Sequence, residues 1–523
     1  DMTAGAPVTC DACSEGVFVR HRLALCLILA GSFALRLVHL DTPLLDGMAV
    51  KQVYVAHKAR QIAGPPFDLL NNSFDFLAED GRPQKLTEEV PLYTGLLATG
   101  YRQFGEHEWL GRLFSSFAML LATAALYDLL RRDFARELAL LATMFFAFSP
   151  LLLVYGQAVQ PDSAMLAGML LTACCYARHL DTGQWRWWLA AALCGMMAAL
   201  FKYYGLMVLL ALAVMQLRRD GWRTVLSPRL ILLGGLMAAP VALWMLLVFR
   251  HTPNPARTSP YFLYEMPELL WQEPLYVRFL DRFLAKDCGP AMVASLLAGV
   301  GAALLGRLGS RSSRPLWGWT ALALGFYFLL GPLLRCHDYY EMMMMPAAAG
   351  WAALGWDALY RGAANWWPWL ARRRVPALAA WAVLLAVVHS PWVTRGKFEW
   401  DPGFAVAARR LEEICPPGAR VVVVTRDNGV AVIHYAHRPG WFFHDLADFR
   451  GRLQRCRDRG AEYALVYFNH DTSAADTAAF AELLPTLPVV DHEAGNWAGR
   501  ETPGEYFIIR LSDLPDSAAL AGR

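Results

Sequence analysis

The chain has 523 residues, 56% hydrophobic and 18% charged, with a formal net charge of +3 and a mean hydropathy of +0.30. So apolar and weakly charged a composition points to an integral membrane protein and away from an ordinary soluble one. The small net charge gives no ground for a nucleic-acid partner.

Apolar runs of roughly 20 residues, enough to cross about 30 Å of hydrocarbon, recur along the sequence. They lie near Leu23–Leu40, Trp109–Leu130, Leu138–Val154, Pro161–Ala177, Trp187–Phe201 and Gly205–Leu217. Others lie near Leu230–Phe249, Pro290–Leu305, Leu316–Leu334, Met342–Tyr360 and Val375–His389. The reading is a polytopic α-helical membrane protein of about eleven spans. A polar tail precedes Leu23 and no small-residue cleavage site follows His39, so the first run reads as an anchor.

Basic clusters alternate between loops as the positive-inside rule requires. Arg20/Arg22, Arg131/Arg132/Arg136, Arg178/Arg186, Arg218/Arg219/Arg223, Arg307/Arg311/Arg314 and Arg372/Arg373/Arg374 fall on one side. That side, with the amino terminus, is read as cytoplasmic. Residues 1–20 are read as a cytoplasmic tail and 21–391 as the membrane-embedded region. Residues 392–523 form an outward α/β domain. The loops 39–108 and 251–289, together with Asp162, face outward.

In the first outward loop, Asp46 stands in Leu44-Leu45-Asp46-Gly47-Met48-Ala49-Val50-Lys51-Gln52, and Glu88-Glu89-Val90-Pro91-Leu92-Tyr93 follows. Met48–Ile62 and Pro91–Phe104 have helical character and mixed polarity, as expected of helices lying on the membrane surface. His57 there reads as a surface histidine, with metal ligation as the alternative. Arg112, at the start of the second span, is a candidate partner for Glu89 or Asp46, or a ligand contact. The second outward loop carries Tyr261, Phe262, Tyr264, Trp271, Tyr276, Phe279 and Phe283, either as interfacial anchors or as a lid.

Polar groups recur at outward span ends: Asp162 after Pro161, Lys202 in Leu200-Phe201-Lys202-Tyr203-Tyr204, and Arg335-Cys336-His337-Asp338-Tyr339-Tyr340-Glu341. Charges near hydrocarbon are expensive and are usually retained for a site or pathway. The competing readings are a snorkelling Lys202, a helix-capping Asp162 and simple packing for Met342–Met345. A carboxylate such as Asp46 can take the proton of an attacking hydroxyl. Cations such as Lys51, Lys202, Arg335 and His337 can stabilise a departing phosphate.

Beyond Trp392 the composition becomes soluble-like. Helical patterns at Phe404–Ile414, Arg450–Arg459 and Thr477–Leu484 alternate with apolar runs at Val421–Thr425, Ala464–Phe468 and Glu505–Leu511. They predict an α/β domain of about 125 residues, with no glycine-rich phosphate fingerprint and a covering or acceptor-docking role. Cys415 and Cys456 are candidates to pair there. Cys10-Asp11-Ala12-Cys13 has half a zinc-knuckle spacing without a second ligand pair, so incidental cysteines are favoured.

Together these residues resemble the membrane glycosyltransferases of the GT-C fold, in the family 39-like group of protein mannosyltransferases and the aminoarabinose transferase. The resemblance covers roughly residues 35–345. It rests on Asp46, Lys51-Gln52, Glu89-Val90-Pro91-Leu92-Tyr93, Phe104-Gly105, Gly111-Arg112, Pro161-Asp162, Lys202 and His337-Asp338-Tyr339-Tyr340, with Arg438-Pro439-Gly440-Trp441 in the tail. It implies transfer of a sugar from a polyprenyl-phosphate carrier, such as undecaprenyl phosphate, with inversion at the anomeric carbon and Asp46 as general base. Glu89 and Asp162 would orient acceptor or sugar. Lys51, Gln52, Arg112, Lys202, Arg335, His337, Asp338, Tyr339 and Tyr340 would bind substrate. Many bacterial relatives have arginine where Lys51 stands, which removes a bidentate phosphate contact. Metal dependence varies across the fold, and although no compelling ligand set stands out, a divalent metal stays open.

The expected partners are a polyprenyl-phosphate-linked sugar, a lipid, glycan or protein acceptor, and a bacterial inner membrane. The alternatives are a non-catalytic lipid or glycan transporter, which would show internal repeats and broken midplane helices, and an assembly factor with a degenerate site.

Overall fold

The structure is a computed structural model describing residues 11–46, 49–71, 73–85, 89–224, 227–251, 277, 280–305, 314–329, 337–426, 428–469, 472–497 and 504–515. Arg335, Cys10 and the loop aromatics other than Phe283 lie outside them. The chain divides into two compact units. One comprises Asp1–Leu40, Arg112–Pro253 and Arg257–Gly396; the other comprises Asp41–Gly111, Asn254–Ala256 and Lys397–Arg523.

The first unit is helical. Helices stand at the apolar runs read from the sequence, including Asp11–Arg36, Glu108–Leu130, Asp162–Thr182, Trp185–Phe201, Pro228–His251, Pro290–Leu304, Arg314–Leu329 and Met345–Trp366. Several of the runs are interrupted. Leu138–Val154 becomes Arg136–Ala147 and Pro150–Tyr155, because Ser149 accepts a bond from the Leu152 amide and Pro150 opens a new helix. Gly205–Leu217 opens as a 3-10 turn, Tyr203–Met207, and Val375–His389 ends in a π turn. Among the described residues, Glu108–Leu130 and Pro228–Leu247 are each long and apolar enough to cross a bilayer. Met342–Met345 is buried, as packing residues should be.

Helices Asp162–Thr182 and Trp185–Phe201 form an antiparallel hairpin turned by Gly183, whose φ of 71° favours glycine. The two approach closely at Gly168, where an added Cβ would stand 2.8 Å from the Cβ of Ala198. That contact brings the start of the first helix, Asp162, alongside the end of the second, Phe201.

The second unit carries a sheet of strands β1 (Ser73–Leu77), β2 (Pro83–Lys85), β3 (Arg420–Val424), β4 (Gly440–Phe443), β5 (Ala461–Phe468), β6 (Val489–Gly495) and β7 (Gly504–Arg510), in the order β2-β1-β4-β3-β5-β7-β6. The centre is parallel, with Val422 opposite both Trp441 and Ala464. The β5–β7 and β6–β7 pairs are antiparallel. Val421, Val422 and Val423 are fully buried, as expected of a strand covered on both faces. The helices Pro402–Ile414, Phe449–Asp458 and Ala474–Leu483 match the patterns read in the tail.

This unit groups the chain differently from the sequence reading, which placed 39–108 with the membrane region and kept 392–523 apart. Strand β1 pairs with β4 through Phe76 and Gly440, and the Trp441 indole donates to the Ala78 carbonyl at 2.7 Å. Helix Ala49–Ala63 was expected on a membrane surface. Instead it buries Gln52, Val53, Val55, Ala56, His57, Lys58 and Ala59, on several of its faces. A surface helix would bury one stripe only.

His57 is therefore no surface histidine: its side chain is fully buried against Phe74 and Phe76. Cys415 and Cys456 are buried and free, not bridged. Arg438, in the tail motif, is a structural residue. Its guanidinium donates to the carbonyls of Glu412 and Cys415 at 3.0 and 2.6 Å, tying the end of helix Pro402–Ile414 to the entry of β4.

Candidate active site

In the helical unit, Lys202 follows helix Trp185–Phe201 in an extended conformation, φ −160°, just before the 3-10 turn Tyr203–Met207. Gly205 lets the chain double back, since a Cβ there would stand 2.5 Å from the Ala198 carbonyl carbon. This break directs the Lys202 ammonium to both carboxylate oxygens of Asp162, at 2.9 and 3.1 Å, with the two side chains 2% and 1% exposed. A snorkelling lysine would be exposed, whereas Lys202 is buried; Asp162 stands in the first turn of helix Asp162–Thr182 as well as in this pair.

The ammonium also lies 4.5 Å from the ring centre of Tyr340 and 4.9 Å from that of Tyr339, within cation–π range. Tyr204 packs edge-on against Tyr340. Asp338 accepts a 2.5 Å bond from the Tyr155 hydroxyl. His337 stacks on Tyr339, with ring centres 5.2 Å apart and planes 23° apart. Glu341, fully buried, pairs with Arg282, whose Nε stands 2.8 Å away. Asp162, Lys202, His337, Asp338, Tyr339 and Tyr340 thus come together from three distant stretches of chain. Arg112 is also buried in this unit.

In the other unit, Asp46 is buried, 4% exposed, beside Leu44 and Leu45. The Leu44 amide donates to the Tyr435 hydroxyl at 2.7 Å, which anchors the turn. The Gln52 amide reaches back from the first turn of helix Ala49–Ala63. It donates to the Asp46 backbone carbonyl at 3.1 Å and to one carboxylate oxygen at 3.0 Å. Lys51 and Glu89 form a looser pair at 3.5 Å, each under one-fifth exposed. The Gln52 amide thus fixes the orientation of one Asp46 carboxylate oxygen.

Sequence reasoning missed Tyr155, Tyr204, Arg282 and Glu341. Tyr204 and Glu341 lie inside motifs already singled out, next to Lys202 and after His337. Tyr155 and Arg282 carry no local signal, because only their partners distinguish them. Among the described residues no group of three or more His, Cys, Asp or Glu is arranged to hold a metal ion.

Residues 88–246 match the family model of dolichyl-phosphate-mannose-protein mannosyltransferase. No match was found among curated protein sequences. Among solved structures, ArnT from Cupriavidus metallidurans bound to undecaprenyl phosphate superposes with a TM-score of 0.62 at 15% identity. The overlap covers 94% of this chain and 98% of that one. The chain has the GT-C fold. The same GT-C fold relates it to the Archaeoglobus fulgidus oligosaccharyltransferase tethered with an acceptor peptide (TM-score 0.55, 14% identity, 85% of this chain and 68% of that one). It also relates it to the mycobacterial arabinofuranosyltransferase AftD (TM-score 0.56, 16% identity, 94% of this chain and 40% of that one). The family match includes Glu89, Arg112, Asp162 and Lys202; Asp46 and His337–Tyr340 lie outside it.

Proposed function

We propose that this chain is a multi-pass membrane glycosyltransferase moving a sugar from a polyprenyl-phosphate carrier to an acceptor hydroxyl on the outward face. Its amino terminus would be cytoplasmic, its sheet-bearing unit would face outward, and the membrane would be a bacterial inner membrane. The observation that carries the reading is the overlap, over nearly the whole of both chains, with a structure holding undecaprenyl phosphate.

Asp46 is the general base. The acceptor oxygen attacks the anomeric carbon opposite the phosphate, and its proton passes to the Asp46 carboxylate. The carbon–oxygen bond to phosphate breaks, the polyprenyl phosphate leaves with the electron pair, and configuration inverts. Gln52 supports this role by holding one Asp46 oxygen in place. Lys51, Arg112, Arg335 and His337 serve the carrier phosphate, and Glu89 orients the acceptor or sugar. Lys202 is a positioning residue, because Asp162 already neutralises it and its ammonium sits against Tyr339 and Tyr340. Asp338 is held by the Tyr155 hydroxyl.

The test is Asp46→Asn in proteoliposomes supplied with a polyprenyl-phosphate sugar. Transfer should fall by about 10²–10⁴ while the protein stays folded and still binds the carrier. Near-normal transfer sinks the base assignment. Glycan profiling of a deletion strain would identify sugar and acceptor.

A further inference from the structure

A second feature of the helical unit lies among the arginines that the topology puts on the cytoplasmic side. A cavity of about 300 Å³ opens between helices Asp11–Arg36 and Glu108–Leu130 and the start of Arg136–Ala147. Arg22, Arg131 and Arg136 line it with Asp128. That carboxylate is shared by Arg131 at 2.8 Å, Arg132 at 3.5 Å and Arg178 at 2.8 Å, three arginines to one acid. His21 lines the same cavity. Its Nε2 faces Glu137 at 3.1 Å, and its shielded Nδ1 has no hydrogen-bond partner among the described residues.

Leu25 and Ala124 line the apolar side of the cavity, and beyond them the helix spacing lays out an apolar lane. On the first helix Leu25, Leu29 and Phe33 follow at four-residue steps. On the other, Phe117, Leu121, Ala124, Asp128 and Arg131 share one face by alternating four- and three-residue steps. Phe33 and Phe117 close the far end, with ring centres 5.0 Å apart. Phe117 and Leu121 are 52% and 49% exposed, which leaves the lane open to lipid along its side. From Arg131 to Phe117 the chain rises about 21 Å, comparable to one leaflet, headgroup included, of a bilayer about 40–45 Å thick overall.

We infer that this groove is a binding site for an acidic glycerophospholipid of the inner leaflet, its phosphate among Arg22, Arg131, Arg136 and His21 and one acyl chain along the lane. Basic pockets between spans on the cytoplasmic side recognise headgroups in this way. The one-leaflet lane, closed by Phe33 and Phe117, suits an acyl chain and not a far longer polyprenyl chain. The inference rests on the membrane topology proposed above, and its readout is lipid retention, which needs no transfer activity.

The full chain, extracted from carbonate-washed membranes, is offered equal phosphatidylglycerol and phosphatidylcholine, and bound lipid is counted by native mass spectrometry. Phosphatidylglycerol should be retained about tenfold over phosphatidylcholine, and Arg131→Gln should reduce that preference about fivefold. Arg22→Gln, Arg131→Gln and Arg136→Gln together should abolish it, whereas Arg218→Gln with Arg219→Gln should leave it intact. Equal retention of the two lipids by the wild-type chain overturns the site, whatever the folding of the variants. So does an unchanged preference in a folded Arg131→Gln variant. Displacement by millimolar inorganic phosphate would show a bare anion site, and displacement by equimolar undecaprenyl phosphate a carrier site; either overturns the phospholipid assignment. A protein washed out by carbonate would sink the membrane reading itself, a result distinct from these.

Discussion

Two buried acids, Asp162 in the helical unit and Asp46 in the sheet-bearing unit, have opposite surroundings. Asp162 meets a buried ammonium through both oxygens, and that ammonium is further enclosed by tyrosine faces. Asp46 meets the neutral Gln52 amide through one oxygen. The first arrangement consumes the charge locally and fixes the position of a broken helix. The second orients a carboxylate through a neutral hydrogen-bond donor. Burial and acidity alone therefore do not distinguish the two carboxylates; their hydrogen-bond donors do.

Asp46→Asn tests the catalytic side of this contrast and should show the largest effect, the transfer loss given above with little change in stability. For the structural side, Lys202→Ala should destabilise the protein by about 3–5 kcal/mol, since it leaves Asp162 buried without its counter-charge. Lys202→Met combined with Asp162→Leu should recover much of that loss in thermal unfolding. Equal destabilisation by single and double variants would remove the ion pair from the account.

Gln52→Leu removes a bond to a charged group and should raise the transfer barrier by about 1.5–3 kcal/mol, expressed in kcat more than in KM. An unchanged kcat would mean that Gln52 does not orient the base.

The smallest effect concerns His57 and His434. Their Nδ1 atoms are 3.4 Å apart. Asp75 and Gln61 face His57, while Arg60 and Glu106 face His434. Burial pulls both imidazoles below the ordinary 6.5, and for His57 it outweighs the opposing pull of Asp75. The unfolded chain takes up these protons first, so the stability tied to neutral histidines is complete above about pH 6.5 and is lost as pH falls toward the folded values. Thermal unfolding between pH 7.5 and 5 should show this decline in the sheet-bearing unit, and His434→Gln should flatten it. A variant with the same slope as wild type would assign the decline to other groups.

Much of this architecture was legible in the chain itself. The apolar runs located the helices of the first unit, because helix formation and burial are both dictated by local pattern. The tail strands Arg420–Val424, Ala461–Phe468 and Gly504–Arg510 were visible as short apolar runs for the same reason. Strands Pro83–Lys85, Gly440–Phe443 and Val489–Gly495 were not, being short or largely polar and held by pairing alone. The candidate site was legible as a set of motifs, while Tyr155 and Arg282 look like any other polar residue near an apolar run.

By itself the sequence determined a helical membrane-like chain with a soluble-like tail, and it marked Asp46, Asp162, Lys202 and His337–Tyr340 as residues whose polarity needs a reason. Tertiary structure alone decided that Ser73–Leu77 joins a sheet built mostly from the tail. It also decided that Lys202 is matched to Asp162 while Asp46 is matched to Gln52. Helices form from contacts three and four residues apart, which local pattern encodes. Strand partners and buried ion pairs are joined across long stretches of chain, so only the folded backbone selects them.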